Sequence, residues 1–114
     1  MKHKKNPKFF LEHILESIEE IERNTKDLSK DEFLKLTTIQ DAVVRRLEII
    51  GEAVKNLPDS CKIQYKETPW RKIAGLRDVL IHEYFDVDLD LVWKIVKKDI
   101  PKLKKQVTEL LEKF

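Results

Sequence analysis

The chain has 114 residues and a formal net charge of +2, with 39% charged and 41% hydrophobic residues. This length favours one domain, residues 1–114, with a modest core, and the few glycines and prolines favour helices with polar outer faces. The lone Cys61 excludes an internal disulfide and a multi-cysteine zinc site, and no run approaches the roughly 20 apolar residues of a membrane span, so we expect a cytoplasmic protein.

Two amphipathic helices are predicted in the first half of the chain. In the first, from about Pro7 to Lys26, apolar residues keep to one face over about four turns. The segment Ser29–Glu32 has the sequence S-K-D-E, a capping box that opens a second helix. We expect this second helix to run unbroken to Leu57, because Pro58 ends it.

The second helix carries apolar residues on two sides, which indicates two surfaces to bury. Ala42, Ile49 and Ala53 lie opposite its core stripe, where another subunit can cover them. Gly51 in a helix interior costs about 1 kcal/mol relative to alanine, so we expect the next helix to approach its backbone closely. The core stripe comprises Phe33, Leu36, Val43, Val44, Leu47, Ile50, Val54 and Leu57.

The next helix, called here the motif helix, is predicted from Trp70 to Phe85, with Thr68 as its N-cap and Pro69 at its first position. Arg77 falls in the middle of its apolar arc and needs a partner, since burying a bare charge costs several kcal/mol. His82 is the side chain of this stretch that titrates near neutral pH. The apolar arc comprises Trp70, Ile73, Leu80, Ile81 and Tyr84.

Asp88 is predicted to cap the last helix, Leu89–Phe114, in which we expect a bend near Pro101. The predicted fold is all-α, an antiparallel bundle of four main helices plus a short helix, without strands. A lysine face on the last helix is most simply a solvated surface, which can also raise the local concentration of anions. No aromatic residue is interleaved among these lysines, so stacking of a single-stranded nucleic acid is not supported there. The lysine face comprises Lys94, Lys97, Lys98, Lys102, Lys104 and Lys105, and the opposite, buried side comprises Val92, Val96, Ile100, Leu103, Val107, Leu110 and Phe114.

The spacing R-x4-H-x-Y from Arg77 to Tyr84 resembles the signature of HEPN-domain proteins, specifically the HepT ribonuclease toxins. Three flanking blocks fit in order, so the similarity covers nearly the whole chain: R-R-L-E-I-I-G-E-A-V-K-N-L, T-P-W and V-D-L-D-L-V-W-K-I-V-K-K-D-I-P. Asp78 departs from the asparagine that many relatives carry. The resemblance implies a HEPN-like bundle that dimerises around the motif helix.

The resemblance also implies a function, that of a metal-independent endoribonuclease without a cofactor, the toxin of a prokaryotic toxin–antitoxin pair. Arg77 would hold the scissile phosphate of the RNA substrate and His82 would transfer the proton. Tyr84 would accept AMP from a partner nucleotidyltransferase antitoxin, and the added negative charge beside Arg77 would exclude the substrate phosphate.

Several alternatives stay open. On a straight helix Arg77 and His82 lie about 140° apart, so the arginine reaches round, the helix loosens near its end, or the two act from different subunits. Asp78, Glu48 or Glu52 could pair with Arg77, whereas the two glutamates lack further ligands for a metal. If Arg77 pairs with Asp78 it is a poor phosphate ligand. Such pairing favours the alternative function, a HEPN-like dimeric binding module that docks a nucleotidyltransferase or a nucleotide without cutting RNA.

Overall fold

The structure of the chain, a computed structural model, describes residues 6–76, 78, 81–83 and 86–114, and at 81–83 and 86 it describes the backbone alone. Three long helical stretches form the core, which confirms the all-α fold class. Within these residues no helix has the length and apolar character that a membrane crossing requires. In chain order the elements are α1 (Pro7–Thr25), α2 (Lys30–Phe33), α3 (Thr37–Lys55), α4 (Asp59–Lys62), a 3-10 turn (Ile63–Tyr65), α5 (Trp70–Ala74), β1 (Ile81–Glu83), β2 (Asp86–Val87), α6 (Leu89–Lys94), a π turn (Ile95–Asp99) and α7 (Ile100–Leu111).

Helix α1 confirms the first predicted helix, and local hydrogen bonds account for its two ends. The Asn6 side chain caps the start by accepting a hydrogen bond from the Lys8 amide at 2.9 Å. At the other end the Thr25 hydroxyl donates to the Ile21 carbonyl at 2.8 Å. Asp27 then turns the chain with a φ of 64°, a conformation that aspartate adopts more readily than most residues.

The second predicted helix is wrong in one respect, because the structure divides it into α2 and α3. Its capping box is confirmed, since the Ser29 hydroxyl accepts the Glu32 amide at 3.1 Å and the Glu32 carboxylate accepts the Ser29 amide at 2.9 Å. Leu36 leaves the helical region with a φ of −109°, and it is 39% exposed instead of buried. The Gln40 side chain donates to the Phe33 carbonyl at 2.9 Å, so this carbonyl is paired at the break.

Helices α1 and α3 pack against each other in opposite directions, since Phe9 near the start of α1 shares a groove with Asn56 at the end of α3. The C-terminal helix, composed of α6, the π turn and α7, packs against α1 and completes the core. Phe114 was predicted to be buried and is 50% exposed, because α7 ends at Leu111. The fully buried aliphatic residues are Leu11, Ile14, Ile18, Ile21, Val43, Leu47, Ile50, Val54, Val92, Val107 and Leu110.

The C-terminal helix confirms the predicted cap and differs near the proline. The Asp88 carboxylate accepts the Leu91 amide at 3.0 Å. Just before Pro101 the helix widens into the π turn, where the Ile100 amide donates to the Ile95 carbonyl. Proline has no amide hydrogen and cannot continue the α-helical pattern, so the irregularity we expected as a bend takes the form of a wider turn.

The predicted motif helix is wrong in its second half. Helix α5 ends at Ala74, where the Gly75 amide donates to the Arg71 and Ile73 carbonyls. Beyond Gly75 the described residues Leu76 and Asp78 are again helical. Residues 81–83 form β1, which pairs antiparallel with β2 through a bulge, so a short two-stranded pairing replaces this part of the predicted helix within the all-α fold. The sequence V-L-I-H-E-Y-F-D-V is rich in β-branched and aromatic residues, which favour strands over helices.

Candidate active site

The segment that leads into the motif packs directly on α3, and Gly51 makes this packing possible. A Cβ atom at this position would lie 3.0 Å from the Ile73 carbonyl oxygen and 3.3 Å from the Ala74 carbonyl oxygen. These distances are shorter than ordinary contacts of a side chain, so the absence of a side chain lets α5 come this close. The predicted approach to Gly51 is confirmed, because both carbonyls belong to α5.

Three apolar side chains anchor the start of the motif segment in the core. Trp70 and Ile73 are each 8% exposed and Leu76 is 4% exposed. The Trp70 indole N–H donates to the Lys62 and Tyr65 carbonyls, each at 3.0 Å. The connector before α5 and the helix itself are therefore held together, and the motif begins from a fixed position.

The same connector is tied to the C-terminal helix by a hydrogen bond that the sequence analysis missed. The Tyr65 hydroxyl donates to Glu109 Oε2 at 2.6 Å. This bond to a carboxylate, followed by burial, raises the pKa of Tyr65 to about 12. The predicted Thr68 cap is wrong, because Pro69 occupies the N-cap position and the buried Thr68 hydroxyl has no hydrogen-bond partner among the described residues.

Two of the three motif residues, Arg77 and Tyr84, lie outside the described residues, so their assigned roles stay predictions. For His82 the backbone is described, and it lies in β1 between the pairs Ile81–Val87 and Glu83–Asp86, where the register shifts. The angular separation calculated for a straight helix therefore does not apply. The sequence left three explanations for how Arg77 and His82 could act together. Loosening of the helix before His82 is the one that agrees with this strand.

The three carboxylates considered as supporting residues lie on two elements. Asp78 is exposed, and its neighbour Arg77 lies outside the described residues, so their pairing stays a prediction. Glu48 and Glu52 lie on α3 on either side of Gly51, the residue in contact with α5. Among the described residues these glutamates join no group of three or more potential metal ligands.

A groove of about 470 Å³ opens between α1 and α3. Its floor is the second apolar face of α3, with Ala53 buried and Ile49 partly buried, and its rim carries the exposed Arg45 and Glu52. The second apolar face predicted from the sequence is therefore confirmed. The lining residues are Phe9, Phe10, His13, Arg45, Glu48, Ile49, Glu52, Ala53 and Asn56.

The predicted lysine face differs from the structure in two respects. Lys104 forms a salt bridge with Glu22 at 2.7 Å, which raises the pKa of Lys104 and directs this side chain toward α1. The prediction that no aromatic residue lies among the lysines is wrong, because the Lys97 ammonium lies 4.6 Å from the centroid of the Trp93 ring. The sequence contained the signal, since Trp93 directly precedes Lys94.

The all-α bundle, with α5 packed on α3, is consistent with the predicted HEPN-like fold. Over residues 14–110 the chain matches the model of the family described as Ribonuclease HepT-like. The chain belongs to this HepT-like ribonuclease family. Membership confirms the resemblance stated from the motif and the classification of the chain as an enzyme of the ribonuclease type.

Three relatives illustrate the similarity. The chain is 49% identical over 107 residues to the protein of Thermococcus cleftensis named "Probable ribonuclease HepT", covering 94% of this chain and 97% of that protein. It is 48% identical over 109 residues to a protein of Caldanaerobacter subterraneus subsp. tengcongensis named "Putative RNase TTE0752", covering 96% and 97%. It is 53% identical over 111 residues, 97% of this chain, to the Methanocaldococcus jannaschii "Gamma-glutamylcyclotransferase and putative RNase MJ0434", of which it spans about half, 50%. No solved structure matches the chain.

Proposed function

We propose that this chain is a metal-independent endoribonuclease, the cytoplasmic toxin of a prokaryotic toxin–antitoxin pair, and that it acts as a homodimer. The observation that carries the proposal is the family match over residues 14–110, which spans the whole motif from Arg77 to Tyr84. Relatives of nearly the same length, named as ribonucleases, support it. The proposal adds the roles of individual side chains and the identity of the partners.

Arg77 and His82 supply the groups that cleavage of an RNA phosphodiester requires. The planar guanidinium of Arg77 binds two phosphate oxygens and keeps its charge at every physiological pH. The imidazole of one His82 takes the proton of the ribose 2′-hydroxyl, whose oxygen attacks the phosphorus. The bond from phosphorus to the leaving oxygen then breaks, and a second His82, protonated as imidazolium, gives its proton to that oxygen and becomes neutral.

A two-fold dimer provides this second imidazole, since each subunit contributes one copy of the motif. We propose that the dimer forms around the motif helix and that the contact extends over the α1–α3 groove. The apolar floor of this groove is centred near Ile49, with Arg45 on one side along α3 and Glu52 on the other. If two copies pair about an axis near Ile49, Arg45 of one copy faces Glu52 of the other. The surface is thus complementary to itself in charge.

The partner nucleotidyltransferase inactivates the toxin by modifying Tyr84. The phenolic oxygen of Tyr84 attacks the α-phosphorus of a nucleoside triphosphate. An oxygen–phosphorus bond forms, pyrophosphate leaves, and the phenolic proton passes to a base of the transferase or to solvent. The AMP group places a negative phosphate near Arg77, where it competes with the phosphate of RNA.

Cleavage of total RNA and of tRNA by the purified chain tests the proposal. We expect His82→Ala to lower the rate by roughly 100-fold to 10,000-fold, which is the usual contribution of a general acid–base group, and Arg77→Ala to act similarly. Arg71→Ala is the matched control, because Arg71 is an exposed arginine on α5 outside the motif. Cleavage by His82→Ala at the wild-type rate contradicts the catalytic assignment. A wild-type protein that binds the transferase but cuts no RNA supports the binding module instead.

The dimer surface has its own test. We expect Ile49→Glu to give a monomer in size-exclusion chromatography with light scattering, because a charge on the apolar floor opposes pairing. RNA cleavage should fall with dissociation. Ile63→Glu is the control, since Ile63 is 62% exposed on the connector and lies outside the groove. A dimeric and active Ile49→Glu protein would exclude this surface.

A further inference from the structure

We propose that a second groove, around Trp93, anchors an unpaired stretch of the RNA substrate, an inference that rests on the ribonuclease function proposed above. This Trp93 groove has a volume of about 560 Å³ and lies between the start of α2 and the first turns of the C-terminal helix. Four lysines and two aspartates line it: Lys30, Lys94, Lys97, Lys98, Asp88 and Asp90.

The indole ring of Trp93 is half-buried and lies between two side chains. The fully buried Phe33 supports it from the core, with ring centroids 5.1 Å apart and a tilt of 34°. The exposed ammonium of Lys97 lies over the ring at 4.6 Å from its centroid. A flexible lysine can leave this position when an unpaired base stacks on the ring, and its ammonium then reaches the adjacent phosphate.

The charges of the groove favour an anion. Asp90 is neutralised by Lys30 at 2.9 Å, and the Asp88 carboxylate accepts the amide at the start of α6. Lys94 and Lys98 are exposed, and within the part of the chain that the structure describes neither forms a salt bridge. Together with Lys97 they provide three cations around one aromatic face, the combination with which proteins bind single-stranded nucleic acids.

The groove also lies close to the motif along the chain. Asp88 in its wall follows β2 directly, and β2 pairs with β1, the strand that contains His82. From the pairing distance of strands and the spacing of consecutive residues, the Cα atoms of His82 and Asp88 are at most about 13 Å apart. An RNA strand anchored on Trp93 therefore reaches the motif within a few nucleotides.

An RNA strand suits this surface better than a protein partner. The cores of protein interfaces are depleted of lysine, whereas lysines that surround a single exposed ring are typical of strand binding. A base paired within a duplex cannot stack on Trp93. We therefore expect the groove to select unpaired RNA, and to contribute affinity and position without a role in proton transfer.

Binding of a 2′-O-methyl oligoribonucleotide, which lacks the attacking hydroxyl, tests the groove separately from cleavage. We expect Trp93→Leu to weaken binding of the unpaired strand about tenfold, equivalent to about 1.4 kcal/mol. Affinity for a duplex should change little, and Trp93→Phe should retain most of the single-strand affinity. Titration of the wild type should quench tryptophan fluorescence, and Trp93→Phe should lose that quenching while remaining folded by circular dichroism.

The lysines are tested by the salt dependence of the same binding. The triple variant Lys94→Gln, Lys97→Gln, Lys98→Gln should reduce the slope of log affinity against log salt by about 2, since each phosphate contact to a single strand contributes about 0.7. The control removes the same charge outside the groove, at the end of α3, in α4 and in the connector, by Lys55→Gln, Lys62→Gln and Lys66→Gln. It should leave the slope unchanged.

The outcomes separate this inference from the ribonuclease function. If the wild type cuts RNA but neither the Trp93 variants nor the triple lysine variant changes binding, the anchoring role is excluded and the function stands. If the wild type neither cuts nor binds RNA, both are wrong. If the variants bind RNA normally but no longer bind the nucleotidyltransferase, the groove belongs to a protein partner and the inference is wrong.

Discussion

Gly51→Ala is the substitution that most directly tests how the motif segment is held. The added Cβ atom would meet two backbone oxygens, at 3.0 Å and 3.3 Å, and neither can rotate away as a side chain would. Alanine improves the propensity of α3 by about 1 kcal/mol, while overpacking costs about 1–3 kcal/mol. We expect a net loss of about 1 kcal/mol, and a loss of about 3 kcal/mol for Gly51→Val, whose extra methyl groups need more space.

The effect on activity should exceed the effect on stability. Overpacking is relieved most easily by a shift of the short helix α5, which leads into the motif. Misplacement of a reacting group by about 1 Å can lower a rate roughly 100-fold. For a shift of a few tenths of an ångström we expect cleavage to fall about tenfold.

Urea denaturation and RNA cleavage measured on the same preparations give both quantities. Gly75→Ala is the matched control, because its nearest contacts would be 3.5 Å and 3.8 Å, ordinary distances, and its φ is −92°. We expect this control to be neutral in stability. If Gly51→Ala proves about 1 kcal/mol more stable than the wild type and fully active, helix propensity alone acts at this position and the close contact with α5 is refuted.

Three further predictions concern the packing around the site. Tyr65→Phe should lose about 1 kcal/mol of stability. Because folding raises the pKa of Tyr65 from 10.0 to about 12, the stabilisation by its hydroxyl is complete below pH 10 and is lost as the pH rises toward 12. The free energies of unfolding of the two proteins, measured by urea denaturation, should therefore converge over that range. Thr68→Val should raise the melting temperature, because it replaces a buried hydroxyl that has no partner among the described residues. Thr25→Val is the control. It removes a hydroxyl that donates to the Ile21 carbonyl, so it should lower the melting temperature or leave it unchanged. Cys61 is 3% exposed and burial raises its pKa, so a thiol reagent at neutral pH should label it only after unfolding.

Features set by neighbouring residues were predictable from the sequence. The capping box at Ser29 and the cap at Asp88 depend on side chains within three positions of the amides that they accept. Gly51 was also informative. A glycine inside a long helix lowers stability relative to alanine, and the close packing of α5 on its backbone explains why it is there. These inferences needed no knowledge of the tertiary fold.

Local sequence did not predict which of two possible elements a segment forms. The helical periodicity from Trp70 onward continues past Ala74, yet residues 81–83 pair with 86–87 because a partner strand begins three residues after Glu83. Leu36 fits the core stripe of an unbroken helix, but the break before α3 leaves it exposed. The periodicity describes which residues are apolar, and the pairing partner decides which element they form.

The position of the two grooves has a consequence for how a dimer would handle RNA. The α1–α3 groove involves α1 and α3, whereas the Trp93 groove involves α2 and the C-terminal helix, and the two have no lining residue in common. Pairing through the first therefore leaves the second open on each subunit. One RNA strand held at both Trp93 grooves gains affinity from the high effective concentration of the second site. Ile49→Glu, which dissociates the dimer, should then weaken binding of a long unpaired oligonucleotide far more than binding of one that spans a single groove. Equal losses of affinity for both oligonucleotides would show that the subunits bind RNA independently.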